Sequence, residues 1–303
     1  MTSQTGSEMQ EGEGPLYDGQ ILHAIENALK EDIGLGDITG DATVEEEAQS
    51  GGEFLVKAPG VVAGGGVASL VFRTADSQTV FHQIVADGTT VKPGTVVAIV
   101  EGKTRSILRA ERVALNFFQR MSGIATLTRA YVDAVRGTRA RITDTRKTAP
   151  GLRALDKLAV RLGGGVNHRF GLDDMVLIKD NHITAAGGIG AAIRRCQQYL
   201  RERSLVIGIE IETTSLDEVR EALAFQGLQR IMLDNFTLPL LREAVVLIDH
   251  RVEVEASGGI TLDTVSAVAA TGVDFISVGA LTHSVPALDI SLELTSGTHV
   301  PHA

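Results

Sequence analysis

The sequence predicts an α/β protein in which a β-rich N-terminal region precedes a parallel sheet that curls toward a barrel. Three observations support this. From Ala140 onward, short apolar runs alternate with amphipathic segments, the order that right-handed strand–helix–strand crossovers produce. Six such runs are visible (ARITDTR, MVLIKDN, LVIGIEIE, RIMLDNF, VEVEASGG and FISVGAL), and each ends in polar, charged or glycine residues. Six strands can form an open sheet or, with one or two more, a closed barrel. Polar strand ends favour the barrel, because barrels place their chemistry at the C-terminal mouth. Third, a chain of formal net charge −10 gathers nine Lys and Arg between Arg139 and Lys179. A cationic pocket in an acidic protein points to a small polyanionic ligand and away from a nucleic acid backbone.

The composition narrows the choice further. The 303 residues, 44% hydrophobic, suffice for two domains and a large core. Trp is absent and aromatic residues make up 4%, so stacking platforms for nucleic acid are not expected. No apolar run reaches the roughly 18 residues of a membrane helix. The opening MTSQTGSEMQEGEGP is polar and acidic and lacks the order of a signal peptide, so residues 1–15 are expected to be a disordered extension. Cys196 is the only cysteine, which excludes an internal disulfide and suggests a reducing cytoplasm. Its setting, AAIRRCQQYL, suits a structural thiol on a helix.

Taken in order, a helix is expected from Asp18 or Gly19, with Ile21, Ile25, Ala28 and Leu29 on one face and Gly34 at its end. LGDITGDAT reads as turns. Residues 51–101 carry short strands and tight turns, with helical chemistry in GVASLVFRTAD and a hairpin in FHQIVADGTTVKPGTVVAIVEG turning at Asp87-Gly88 and Pro93-Gly94. That hairpin has the outline of a biotinyl or lipoyl carrier but lacks the lysine at an exposed tip, so no prosthetic group is expected there. One long helix is expected over Arg105–Thr128, with Ala110, Val113, Ala114, Phe117, Met121 and Ile124 on its apolar side. Arg105, Arg109, Arg112, Asn116, Gln119 and Arg120 form its other face, which is either solvated surface or a face for a ligand or second subunit. Later helices are read in RALDKLAVRL, GGIGAAIRRCQQYLRER, SLDEVREALAF, PLLREAVVLID and LDTVSAVAATG.

The candidate site assembles from the strand ends. A cationic wall comes from Arg146, Lys147, His168, Arg169 and Lys179, with Arg112 a possible addition. Strand alternation puts Glu210 and Glu212 on one face, and buried carboxylates need cations, a metal or hydroxyls. Asp234 ends the next strand. Ser257-Gly258-Gly259 and Gly279-Ala280 follow the last two strands and can present backbone N–H groups to a phosphate. Structural salt bridges explain any one such pair; they do not explain the whole set at consecutive strand ends.

These motifs resemble a known family. RAERVALNFFQRMSGIAT, TDTRKTAPGLRALDKLAVRLGGGVNHRFGLDDMVLIKDNHI, IEIE, IMLDN, ASGGI and DFISVGALTHS are similar, in order, to quinolinate phosphoribosyltransferases, also called nicotinate-nucleotide pyrophosphorylases (carboxylating). The resemblance covers about Arg109 to Ser284. It implies an α/β fold with an N-terminal α/β sandwich domain (16–124, joined by 285–303) and an incomplete, six- or seven-stranded parallel α/β barrel (125–284). It also implies transfer of phosphoribosyl from phosphoribosyl pyrophosphate to quinolinate with decarboxylation, giving nicotinate mononucleotide, with Mg2+ as cofactor. Quinolinate contacts would fall on Arg112, Thr145, Arg146, His168, Arg169 and Lys179. Phosphoribosyl pyrophosphate contacts would fall on Lys147, Glu212, Asp234, Ser257, Gly258, Gly259, Gly279 and Ala280. Lys147, Glu212 and Asp234 would be catalytic, and Glu212 and Asp234 would hold the metal through water. Glu210 stays open as an alternative to Glu212. A homodimer or dimer-based hexamer is implied, with Arg112 shared across subunits. The rival readings are a phosphoribosyltransferase acting on nicotinate, a sugar-phosphate isomerase or lyase, and a non-catalytic anion-binding protein.

Overall fold

The structure, a computed structural model, describes residues 15–295; the extension expected over residues 1–15 lies outside the described residues except for Pro15, which begins a helix. The first part of the chain comprises α1 (Pro15–Ile33), α2 (Ile38–Thr43), β1 (Gln49–Val56), β2 (Gly60–Val61), α3 (Gly65–Ala75), β3 (Val80–Gln83), β4 (Thr90–Val91), β5 (Val96–Lys103) and α4 (Thr104–Ala134). The second comprises β6 (Arg141–Thr143), α5 (Arg153–Leu162), β7 (Val176–Ile178), α6 (Asp180–Ala186), α7 (Ile189–Glu202), β8 (Ile209–Thr213), α8 (Leu216–Leu223), β9 (Arg230–Asp234), α9 (Leu238–Ile248), β10 (Glu253–Ser257), α10 (Leu262–Ala269), β11 (Phe275–Ser277), α11 (Ala280–His283) and β12 (Ile290–Thr295).

The N-terminal layer is an antiparallel sheet of order β12-β1-β5-β3, covered by α1, α3 and α4. Its core is aromatic: the Phe54 ring lies 5.5 to 6.0 Å from those of Phe72, Phe81 and Phe118. The last strand, β12, returns to pair with β1 from Val56↔Ile290 to Gly51↔Thr295. Both turns expected between Val80 and Glu101 occur, with Gly88 and Gly94 at φ +84° and +86°. The hairpin itself is divided, because β3 pairs with β5 while β4 leaves to pair with β2.

The segment read as turns, LGDITGDAT, contains α2. Asp37 caps it by accepting the Gly40 N–H at 2.9 Å, and Arg105 and Arg109 from α4 reach Asp41. Contacts from residues more than sixty positions away stabilise six residues that local propensity leaves undecided. Helix α4 runs beyond the expected Thr128 to Ala134, about 46 Å of helix. It is the spine between the two layers, packing on α3 and β5 at one end and on α5, β6 and α10 at the other.

The second layer is a six-stranded parallel sheet, β6-β11-β10-β9-β8-β7, that does not close. In the gap between β6 and β7 runs the glycine segment before His168, joined to β6 by one bridge, Thr143↔Val166. Two strands are shorter than their apolar runs. LVIGIEIE pairs only from Ile209, because its partners begin at Val176 and Arg230; Val206, with no ladder to join, is fully exposed. MVLIKDN ends as a strand at Ile178, and Asp180 already begins α6. Gly187 and Gly188, at φ +87° and +122°, separate α6 from α7 and so fall outside the helix expected to include them.

Candidate active site

The C-terminal ends of all six strands open into one cavity of about 720 Å³. Its cationic side starts where β6 ends. Asp144, wholly buried, turns inward and accepts three bonds: from Lys157 Nζ at 2.6 Å, from the His168 backbone N–H at 2.8 Å and from Asn167 Nδ2 at 2.7 Å. Lys157 Nζ also donates to the His168 carbonyl at 2.9 Å. This clamp grips the His168 peptide on both sides and fixes the seam segment beside β6. Arg146, Lys147, Arg169 and Lys179 then reach the cavity from β6, the seam and β7. Arg169 is steadied by its own bond to the Met175 carbonyl at 3.2 Å.

The opposite side carries acid and glycine. Glu212 at the end of β8 lies 3.4 Å from Lys179 Nζ. Asp234 at the end of β9 accepts from Asn235 Nδ2 at 2.7 Å. Asn235 takes the left-handed conformation, φ +57°, and its N–H donates to the Ser257 carbonyl at 2.9 Å, so the β9 and β10 turns are joined. Gly258 sits against this junction at φ +99°; a Cβ there would overlap the Asn235 side chain and lie 2.9 Å from its backbone nitrogen. Gly279 lies under the Lys147 side chain, 3.1 Å from Cδ to where its own Cβ would stand. The carboxylate oxygens of Glu212 and Asp234 form a hard donor set that suits Mg2+.

A second charged group lies beneath the cavity. His168 Nε2 is 3.0 Å from Glu210 and 3.5 Å from Glu255, and Arg230 Nη1 donates to Glu255 at 2.8 Å. The ligand atoms of His168, Glu210 and Glu255 lie within 4.8 Å of one another, a spacing a metal ion could use. The histidine tautomer argues against that use. Its Nδ1 accepts the Arg169 N–H at 2.8 Å, so the neutral ring carries its proton on Nε2 and has no lone pair there to give. Burial pushes both carboxyls up to about 7, helped at Glu255 by the charge of Glu210, and pushes His168 down.

Comparison with known proteins decides the family. The pattern "Quinolinate phosphoribosyl transferase, N-terminal domain" matches residues 37–122, and its C-terminal counterpart matches residues 124–293. The chain belongs to the quinolinate phosphoribosyltransferase family. It is 50% identical over 295 residues to the mitochondrial quinolinate phosphoribosyltransferase (decarboxylating) 2 of Nicotiana glauca, covering 92% of this chain and 83% of that one. It is 44% identical over 274 residues to a probable nicotinate-nucleotide pyrophosphorylase (carboxylating) of Synechocystis, covering 89% and 91%. The crystal structure of NadC from Streptococcus pyogenes superposes with a TM-score of 0.87 at 39% identity, over 94% of this chain and 99% of that one.

Within that family frame, the structure gathers nearly all the residues singled out by sequence. Thr145, Arg146, Lys147, His168, Arg169, Lys179, Glu212, Asp234, Ser257, Gly258, Gly259, Gly279 and Ala280 line the one cavity. Glu212 is at the cavity wall, whereas Glu210 is one strand repeat deeper, in the buried group. Arg112 is exposed on α4 and does not line the cavity of its own chain. The polar face of α4 is neither simply solvated nor wholly free for a partner. Arg105 and Arg109 hold α2, Gln119 donates to the Ile290 carbonyl at 2.6 Å, and Arg120 pairs with Asp156, leaving Arg112 and Asn116 outside. Sequence reasoning missed Asn235, Glu255 and His283, which also line the cavity. Glu255 was within reach, since it stands two residues before Ser257 and shares its face of β10.

Proposed function

We propose that this chain joins quinolinate to the ribose of phosphoribosyl pyrophosphate and decarboxylates the adduct, giving nicotinate mononucleotide, pyrophosphate and carbon dioxide. The observation that supports it most is a single cavity with Arg146, Lys147, Arg169 and Lys179 on one side and Glu212, Asp234 and the glycine turns on the other. Quinolinate brings two carboxylates, and Arg146, Arg169 and Lys179 are placed to hold them by charge-assisted bonds. Thr145 and the His168 ring complete that side, the histidine Nδ1 accepting the Arg169 N–H and its Nε2 lying 3.0 Å from Glu210. The ring nitrogen then attacks ribose C1 and the C1–oxygen bond breaks, its electrons leaving with pyrophosphate. Glu212 and Asp234 stabilise the positive charge that develops at the ribose and accept its hydroxyls. Lys147 takes up the negative charge of the leaving group, and the turns at Ser257–Gly259 and Gly279–Ala280 receive the phosphate on backbone N–H groups. In the alkylated ring the bond from C2 to its carboxyl group breaks, the pyridinium charge stabilises the electron pair left on C2, and a proton completes the product.

Magnesium is the proposed cofactor; Glu212 and Asp234 would hold it through water, and it would neutralise pyrophosphate oxygens. The proposed assembly is a homodimer, or a dimer-based hexamer, in which the neighbour's Arg112 completes the quinolinate side. Exposure of Arg112 outside its own cavity supports this. The cytoplasm is the proposed location, on the strength of the single cysteine, although the Nicotiana glauca relative is named mitochondrial. No helix among the described residues is long and apolar enough to cross a membrane.

The decisive assay incubates the protein with quinolinate, phosphoribosyl pyrophosphate and magnesium, with nicotinate in parallel, and follows carbon dioxide and mononucleotide together. Equal release of both from quinolinate alone is expected. Turnover of nicotinate instead would keep the phosphoribosyl half and reassign the cationic side. The shared site has its own test: inactive Arg112→Ala and Lys147→Ala chains, mixed, should regain activity, since a hybrid dimer contains one intact site. No recovery after verified subunit exchange would place Arg112 outside the reaction.

A further inference from the structure

One guanidinium of α4 lies against the loop that follows β6. Arg120 donates from Nε and Nη2 to the two oxygens of Asp156, each at 2.8 Å, and Nη2 also donates to the Thr282 carbonyl at 3.2 Å. Asp156, on α5, is wholly buried. Its Oδ2 accepts a further bond from the Ala149 backbone N–H at 3.2 Å. Thr282, on α11, donates its hydroxyl to the Lys147 carbonyl at 2.9 Å. The loop carrying Arg146 and Lys147 is therefore tied to the body of the protein at two backbone atoms, Lys147 O and Ala149 N. Both ties lead to Arg120.

This arrangement needs an arginine. The planar fork reaches both oxygens of one carboxylate and a carbonyl at once, whereas an ammonium acts as a point charge. The loop needs such holding because β6 is only three residues long and its ladder ends at Thr143. Other bonds touch the loop. Thr145 Oγ1 accepts the Lys147 N–H at 3.0 Å and the Ala149 carbonyl accepts the Leu152 N–H at 3.1 Å, both local, and Arg153 Nε donates to the Thr148 side chain at 3.1 Å. None of these restrains the Lys147 carbonyl. The Lys147 side chain passes over Gly279, so a shift of its backbone moves its charge along the glycine cradle.

We propose that Arg120 is a positioning residue for phosphoribosyl transfer: through Asp156 and Thr282 it fixes the Lys147 backbone, and with it the lysine charge above Gly279. The catalytic consequence rests on the function proposed above; the holding of the loop does not. Arg120 thus links the helix shared by both layers to the charge that receives the leaving group.

The test uses the full chain and three variants. Arg120→Lys keeps a positive charge beside buried Asp156 and so preserves the fold, but it cannot span the three acceptors. Thr282→Val removes the hydroxyl, which bonds the Lys147 carbonyl at 2.9 Å and the Gly279 carbonyl at 3.4 Å, and Thr282→Ser keeps it. Arg120→Lys and Thr282→Val should each lower kcat about ten- to hundredfold, the scale of a misplaced catalytic group, with Tm close to that of the wild type. Thr282→Ser should retain most activity. Hydrogen exchange over residues 145–150 should speed up in Arg120→Lys and Thr282→Val but not in Thr282→Ser. Unchanged kcat in both Arg120→Lys and Thr282→Val, or equal losses in Thr282→Ser and Thr282→Val, would overturn the proposal while leaving the assigned reaction standing. A wild-type protein that does not turn over quinolinate would instead refute the reaction. Exchange would then decide alone, and unaltered protection of residues 145–150 in Arg120→Lys would end the claim.

Discussion

Two buried charged groups lie behind the cavity, and they solve the cost of burial in opposite ways. The clamp of Asp144, Lys157 and Asn167 is balanced, one anion against one cation, and both carboxylate oxygens have hydrogen-bond partners. Burial pushes Asp144 up and Lys157 down, and each is opposed by the charge and bonds of the other. The deeper group sets Glu210, Glu255 and Glu253 against Arg230 and a neutral His168. Both oxygens of Glu210 and one of Glu255 are buried with no hydrogen-bond partner among the described residues. A satisfied pair holds one geometry across a wide pH range. An acid-rich group relieves its excess by holding protons at neutral pH, so its state depends on pH. The clamp supports the position of His168 and Arg169, and the deeper group sets the charge beneath them.

The comparison breaks most sharply at Lys157. Lys157→Met should cost about 3–5 kcal/mol, because it leaves Asp144 charged and unpaired in the core. Urea unfolding measures this, and a loss under about 1 kcal/mol would show the clamp to be far less coupled than its geometry. Next comes the pH dependence of the deeper group. Unfolded Glu255 ionises near 4.5, and in the native protein it keeps its proton to about 7. The native state therefore binds more protons between these values. The stabilisation is full below 4.5 and is lost as pH rises through 7. Glu255→Gln should flatten that decline by up to about 3 kcal/mol, the worth of the shift. His168, pushed down by burial, contributes the opposite slope, and the Glu255 charge opposes that push, so the difference between the two proteins reports the carboxyl together with its effect on the imidazole. Parallel curves for variant and wild type would mean that Glu255 is ionised when folded. The smallest effect should come from Asn167→Ala, which removes one bond to the Asp144 carboxylate and costs about 1–3 kcal/mol at all these pH values. A pH-dependent loss there would join the two groups into one network.

The legibility of these regions in the sequence differed in the same way. The loop from Arg146 to Lys147 and the turns at Ser257 and Gly279 stand at strand ends, and strand ends can be found from local periodicity; the seam at His168-Arg169 follows a helix and is marked in the sequence by the glycine run before it. The deeper group was only half visible. Alternation placed Glu210 and Glu212 on one face, but a face does not specify depth, and only the packed sheet puts Glu212 at the cavity wall and Glu210 against His168. Asn235 escaped notice because its importance comes from a left-handed backbone and a bond to Ser257, neither of which marks the string LDN.

By itself, the sequence determined the alternation of strand and helix and the polar character of the strand ends. Through the motif from Thr143 to Ile183 it also determined the family, because periodicity and contiguous motifs are local properties of the chain. The tertiary structure alone decided the fate of the polar face on α4. Arg105 and Arg109 hold a helix sixty residues back, Arg120 reaches Asp156, Gln119 reaches the returning strand, and Arg112 is left outside. A helix face reads the same in sequence whether water, another element or another subunit lies against it. What it meets is set by contacts between segments far apart in the chain, which only the folded packing brings together.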